Sequence, residues 1–76
     1  MMHRFVLERR IDVSGISGVG DVAEGVVFND GTTVLRWLAI PGVRSTTVIH
    51  DDIASVVNLH GHGGHSHVRW IDEEPG

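Results

Sequence analysis

The stretch V-A-E-G-V-V-F-N-D-G-T-T-V-L-R-W-L-A-I, Val22 to Ile40, decides the fold. Two runs rich in β-branched and aromatic residues, Val22 to Asn29 and Thr32 to Ile40, flank Asp30-Gly31. That dipeptide best tolerates the positive φ angles of a two-residue type I′ hairpin turn. Closing the turn there sets Asn29 opposite Thr32, Phe28 opposite Thr33, Val26 opposite Leu35 and Glu24 opposite Trp37. Val26, Phe28, Leu35 and Trp37 then share the core face, while Val27, Val34 and Leu38 share the other face with Arg36. A hairpin that is apolar on both sides predicts a closed barrel with a partner surface, or a dimer. Gly25 is the candidate bulge, and a bulge there would move Glu24 to the other face.

Downstream, Pro41-Gly42 ends the hairpin and Ser45 to His50 reads as a further strand. Asp51 or Asp52 caps a short helix whose apolar positions Ile53, Val56, Val57 and His60 follow helical spacing, with Gly61 at C′. Gly61 to Gly64 is a loop, and His65 to Ile71 alternates Val68 and Trp70 against His67, Arg69 and Ile71 as the last strand. Upstream, His3 to Arg10 sets Phe5 and Leu7 against Arg4, Val6 and Glu8 as the first strand. Between it and the hairpin, Asp12 to Asp21 is rich in Gly and Ser and reads as a long loop. Five short strands with a helix before the last predict an all-β, SH3-like barrel over residues 1–71, followed by an acidic, solvated tail over 72–76. An OB-type barrel fits less well, because its helix usually falls between the third and fourth strands.

The 76 residues make one small domain, and the absence of cysteine removes disulfides as a source of stability. Six Arg and no Lys oppose ten acidic residues, for a formal charge of −4. This balance disfavours generic binding to a phosphate backbone. Six His make the net charge sensitive to pH just below neutrality. No run is long and apolar enough for a membrane span and no signal segment is evident, which places the expected site of action in the cytoplasm.

The segments D-V-S-G-I-S-G-V-G-D-V-A-E-G-V-V-F-N-D-G-T (Asp12 to Thr32), L-R-W-L (Leu35 to Leu38), S-T-T-V (Ser45 to Val48) and H-G-H-G-G (His60 to Gly64) with Trp70 span most of the chain. Their pattern resembles that of a group of small, largely uncharacterised proteins of actinobacteria, haloarchaea and actinobacterial phages. The resemblance implies a bacterial or phage accessory protein and brings no activity or catalytic residue with it.

The densest polar feature is His60, His62, His65 and His67. Imidazoles at i and i+2 of an extended chain point the same way, so the group has the makings of a zinc, nickel or copper site. Against that stand the lack of cysteine, the lack of a charged ligand and the glycines between the histidines; the plainer role for His60 is a cap on the helix C-terminus. Ser14, Gly15, Ser17, Gly18 and Gly20 form a loop able to cradle a small anion or nucleotide through backbone N–H groups. That loop lacks the Lys-Ser/Thr ending of a P-loop and leads into a strand, so a shaped loop with local turn bonds is the simpler account. A triad of Ser17, His62 and Asp51 has neither a nucleophile elbow nor an oxyanion scaffold, and Asp51 with Asp52 is better explained as a helix cap than as a catalytic carboxylate pair. Arg36-Trp37 and Arg69-Trp70 place two Arg-Trp steps on separate strands. Such steps suit a contact surface, although the two Trp are also needed as core anchors.

The expected protein is therefore a non-enzymatic interaction module without a cofactor. It acts as a homo-oligomer and meets a protein partner through Arg36, Trp37, Arg69 or Trp70. The rival is a metal-binding or pH-sensing protein built on the histidines. The two separate on one measurement: chelator shifts the thermal midpoint of a metal protein and leaves that of an interaction module unchanged.

Overall fold

The structure, a computed structural model, describes residues 1–10, 20–39, 42, 44–60 and 66–75. The elements follow the expected order: β1 (His3–Arg9), β2 (Gly20–Val27), β3 (Thr33–Trp37), β4 (Thr47–His50), α1 (Ile53–His60) and β5 (Ser66–Trp70). They form one antiparallel sheet in the order β4-β3-β2-β1-β5. The sheet is open, with β4 and β5 as its edges, and the closed barrel expected from the two-faced hairpin is not formed. Instead α1 crosses between the edges and contacts both β4 and β5. One buried layer between sheet and helix replaces the interior of a barrel.

The core lies on the face turned to α1. Phe5 and Leu7 of β1, Ala23 and Val27 of β2, Leu35 of β3 and Val56 of α1 are buried, with Trp37, Ile53, Val68 and Trp70 packed around them. Alternation in β1 and β5 places these residues as the sequence pattern predicts. The helix begins at Asp52, whose Oδ1 accepts from the Ser55 backbone N–H at 2.9 Å and from the Ser55 hydroxyl at 2.8 Å. These bonds satisfy one of the orphan donors of the first turn, and they hold the Asp52 carboxyl below its usual pKa.

The hairpin differs from expectation by one residue. Phe28 N–H donates to the Thr32 carbonyl at 2.8 Å and Gly31 N–H to the Phe28 carbonyl at 2.9 Å, which closes a three-residue loop of Asn29, Asp30 and Gly31. A type I′ turn needs positive φ at two residues, whereas in this loop Gly31 alone has it, at +93°, and neither Asn29 nor Asp30 does. The wider loop spares Asp30 the left-handed conformation and lets its carboxylate accept from Thr32 N–H at 2.9 Å. Val26 therefore pairs with Val34, Gly25 with Leu35, Glu24 with Arg36 and Ala23 with Trp37. Leu35 and Trp37 keep the core face, Val27 joins them, Val26 turns outward, and Phe28 sits beyond the strand end with 40% of its surface exposed.

The bulge also lies elsewhere. The partner of β1 changes from Ala23 to Asp21 between Leu7 and Glu8, leaving Val22 as the extra residue. Gly25 serves close packing instead: the Phe5 ring lies over it, and an added Cβ would stand 2.7 Å from Phe5 Cε1 and 2.7 Å from the Val34 carbonyl oxygen. The second of these contacts is with backbone and cannot swing aside. Gly25→Ala is expected to cost about 1–3 kcal/mol. In a domain of this size that is several degrees of thermal midpoint for each kcal/mol, readable by thermal denaturation; an unchanged midpoint would remove Gly25 as the seat of the Phe5 ring.

Candidate interaction surface

The face of the sheet turned away from α1 carries the charges. One cross-strand row runs Arg69, Val6, Glu24, Arg36, Thr47, and the next runs Arg4, Val26, Val34, Ile49. Val6 is nearly buried by its neighbours, Val26 and Val34 are half-buried, and Ile49 is 71% exposed. Among the described residues no helix or second sheet covers this face, so the second row is a band of β-branched side chains open to solvent.

Charged groups frame the band. Arg69 donates to Glu8 Oε2 at 2.8 Å and to Asp21 Oδ2 at 3.0 Å, with His67 Nε2 3.3 Å from Glu8 Oε1. The Val22 bulge is what turns Asp21 onto the face of Glu8, and both carboxylates raise the Arg69 pKa, Asp21 the more strongly. Arg36 Nη1 donates to Thr47 Oγ1 at 2.8 Å. Arg4 forks onto Asp72, with Nε 3.0 Å from Oδ2 and Nη2 2.9 Å from Oδ1, and its backbone N–H donates to Oδ2 at 2.8 Å. The acidic C-terminal residues, expected to be a free tail, are thus tied to β1. His3 Nδ1 meets the Glu73 carbonyl at 2.6 Å, and Trp70 Nε1–H donates to Glu74 Oε1 at 2.9 Å.

The four residues expected at a contact surface divide by face. Arg36 and Arg69 share the outer row, about 14 Å apart at ordinary strand spacing. Trp37 and Trp70 pack beneath, on the core side. Trp70 meets the Phe5 ring edge-on at 5.5 Å, and Trp37 meets His60 at 4.9 Å. The histidines divide too. His60 sits at the end of α1 against Trp37, with its ring 6.3 Å from that of His50, whereas His67 lies on the outer face beside Glu8. His62 and His65 lie outside the described residues, as do Ser14, Gly15, Ser17 and Gly18 of the glycine-rich loop. Gly20 opens β2 with φ +109°. Among the described residues no group of three or more His, Asp or Glu is placed to hold a metal ion, and no helix is long and apolar enough to cross a membrane.

Alternation within β5 puts His67 and Arg69 on one face, but which acids they meet depends on the pairing of β5 with β1 and on the bulge, and neither is local in sequence. The pairing of His50 with His60 likewise arises only because α1 folds back over β4.

Residues 2–72 match the Acb5 phage protein family, and the chain belongs to it. No curated protein and no solved structure matches the chain.

The bonds from Arg4 side chain and backbone hold the Asp72 carboxyl far below its ordinary value of 3.8. A depressed carboxyl contributes stability that is complete above its unfolded pKa and is lost as pH falls toward the folded one. Asp72→Asn is expected to lower the thermal midpoint at pH 7, with the gap to the parent closing as pH is taken below 3.8. A gap that does not change with pH would show that the ionised carboxylate is not its source.

Proposed function

We propose that this phage-family protein is a small, non-enzymatic interaction module that works as a homo-oligomer in the cytoplasm. Its contact surface is the outer sheet face, where the row carrying Arg36 and Arg69 runs beside the band of Val26, Val34 and Ile49, and Trp37 and Trp70 support the strands of the two Arg from beneath. The observation that carries this reading is that band itself. Four strands contribute to a continuous face with β-branched residues at its centre, a framework of paired charges at its rim, and no second layer among the described elements. Binding surfaces combine these features: an apolar centre supplies the desolvation energy, and the charged rim sets orientation.

The reading is tested by the native mass of untagged protein prepared without metal-affinity resin. A multiple of 8.3 kDa with no added mass is expected. A stoichiometric metal increment that chelator removes would overturn it in favour of the histidine rival. A monomer that captures no partner would overturn it outright.

A further inference from the structure

The two edges of the sheet are not alike. β5 presents His67 and Arg69, charged or polar groups of the kind that discourage strand addition. The other edge, β4, reads T-V-I-H, with no Pro, no acid, no Arg and no bulge, and Val48 and Ile49 are 37% and 71% exposed. Among the described residues no strand lies beyond it.

Its backbone is equally specific. Trp37 N–H donates to the Thr46 carbonyl at 2.9 Å, so Trp37 and Thr46 form a hydrogen-bonded pair. By the alternation of antiparallel ladders, Leu35/Val48 and Thr33/His50 are the next such pairs, and Thr47 and Ile49 turn their N–H and C=O groups to the open edge.

We propose that the open edge of β4 pairs antiparallel with β4 of a second copy of this chain, about a two-fold axis at Val48. This rests on the reading of the protein as a homo-oligomer and names the contact. Only a register that sets odd-numbered residues opposite one another matches the outward backbone groups. In the register centred on Val48, Thr47 and Ile49 of each copy exchange backbone hydrogen bonds, and Val48 meets its own counterpart at the close, non-hydrogen-bonded position. Charge selects this centre. Arg44, just before the strand, then faces the Asp51-Asp52 corner just after it in the other copy, once on each side of the axis. Ile49 gains Thr47 of the other copy as its cross-strand neighbour, so the outer row of Val26, Val34 and Ile49 in one copy runs on into the row of Thr47, Arg36 and Glu24 in the other, and two five-stranded sheets become one. Edge pairing over so few residues buries less than a standard interface, so the dimer is expected to dissociate on dilution.

The register gives an unusually direct test, because the chain has no cysteine. Under mild oxidation Val48→Cys is expected to form a disulfide-linked dimer, since two copies of residue 48 approach within disulfide reach across the axis. Ile49→Cys, at a more exposed position, is expected to remain unlinked, since its neighbour is residue 47 of the other copy. Thr47→Pro removes an edge donor from each copy without touching the bonds to β3, and is expected to raise the dimer dissociation constant at least about thirty-fold in sedimentation runs. If Thr47→Pro fails to fold by circular dichroism, the pair of cysteine variants decides alone. Equal or preferential linking of Ile49→Cys, or a parent dimer that neither links through Val48→Cys nor weakens in Thr47→Pro, overturns the β4 contact and leaves the homo-oligomer reading standing. A parent that stays at 8.3 kDa up to about 1 mM overturns both.

Discussion

The seating of the Phe5 ring on Gly25 is the constraint from which the rest of the architecture follows. A ring that fills the space above a glycine fixes β1 against β2 at one register, and because Gly25 also faces Leu35, it fixes β3 in the same contact. Trp70 then closes on the Phe5 ring from the β5 side. Three strand pairings thus converge on one aromatic side chain. Since side chains alternate across a sheet, fixing that inner set also fixes the outer one: Val26, Val34 and Arg36 face away from α1 because Gly25 and Leu35 face toward it.

The helix takes the role that strand closure has in a barrel. With β4 and β5 not paired to each other, a sheet of this size would leave Leu35, Val27 and Leu7 facing water, and α1 covers them through Val56 and Ile53 while touching both edges. A helix of eight residues is too short to persist alone, so its order derives from that packing and from the Asp52 cap. Among the described residues the result is one face covered by α1, one face without a second layer and two chemically different edges.

Much of this was legible in the residues. The alternation of Phe5 and Leu7 against Arg4 and Val6, and of Val68 and Trp70 against His67 and Arg69, states which face is which. The Asp52 to His60 segment carries its cap and its spacing openly. The hairpin was harder, because Asn29-Asp30-Gly31 serves a two-residue and a three-residue loop equally well in composition. The choice rests on whether Asp30 takes a positive φ, and one residue of slip moves Val26 and Val27 to opposite faces. The same ambiguity hid the role of Gly25, since a glycine in a strand signals either a bulge or a close approach. The ion pairs of Arg4 with Asp72 and of Arg69 with Glu8 and Asp21 join segments far apart in the chain and had no local signature. Membership of the Acb5 phage protein family agrees with the phage component of the resemblance carried by the glycine-rich, Trp and His motifs.

The position of β1 has a kinetic consequence. It is an inner strand of the sheet, yet its two neighbours differ greatly in separation along the chain: β2 is the next strand in sequence, whereas the bond from Arg69 to Glu8 spans 61 residues. Pairing of β2 with β1 and with β3 can therefore form from nearby segments, but the second side of β1 must wait for a long loop to close, at an entropic cost that grows with its length. Until then β1 exposes a ladder of backbone groups beside Phe5, and a nascent edge of that kind is open to mispairing with another chain. The order in which contacts form, as much as the finished contacts, thus favours a sheet whose β2-β3 hairpin closes early on a short loop.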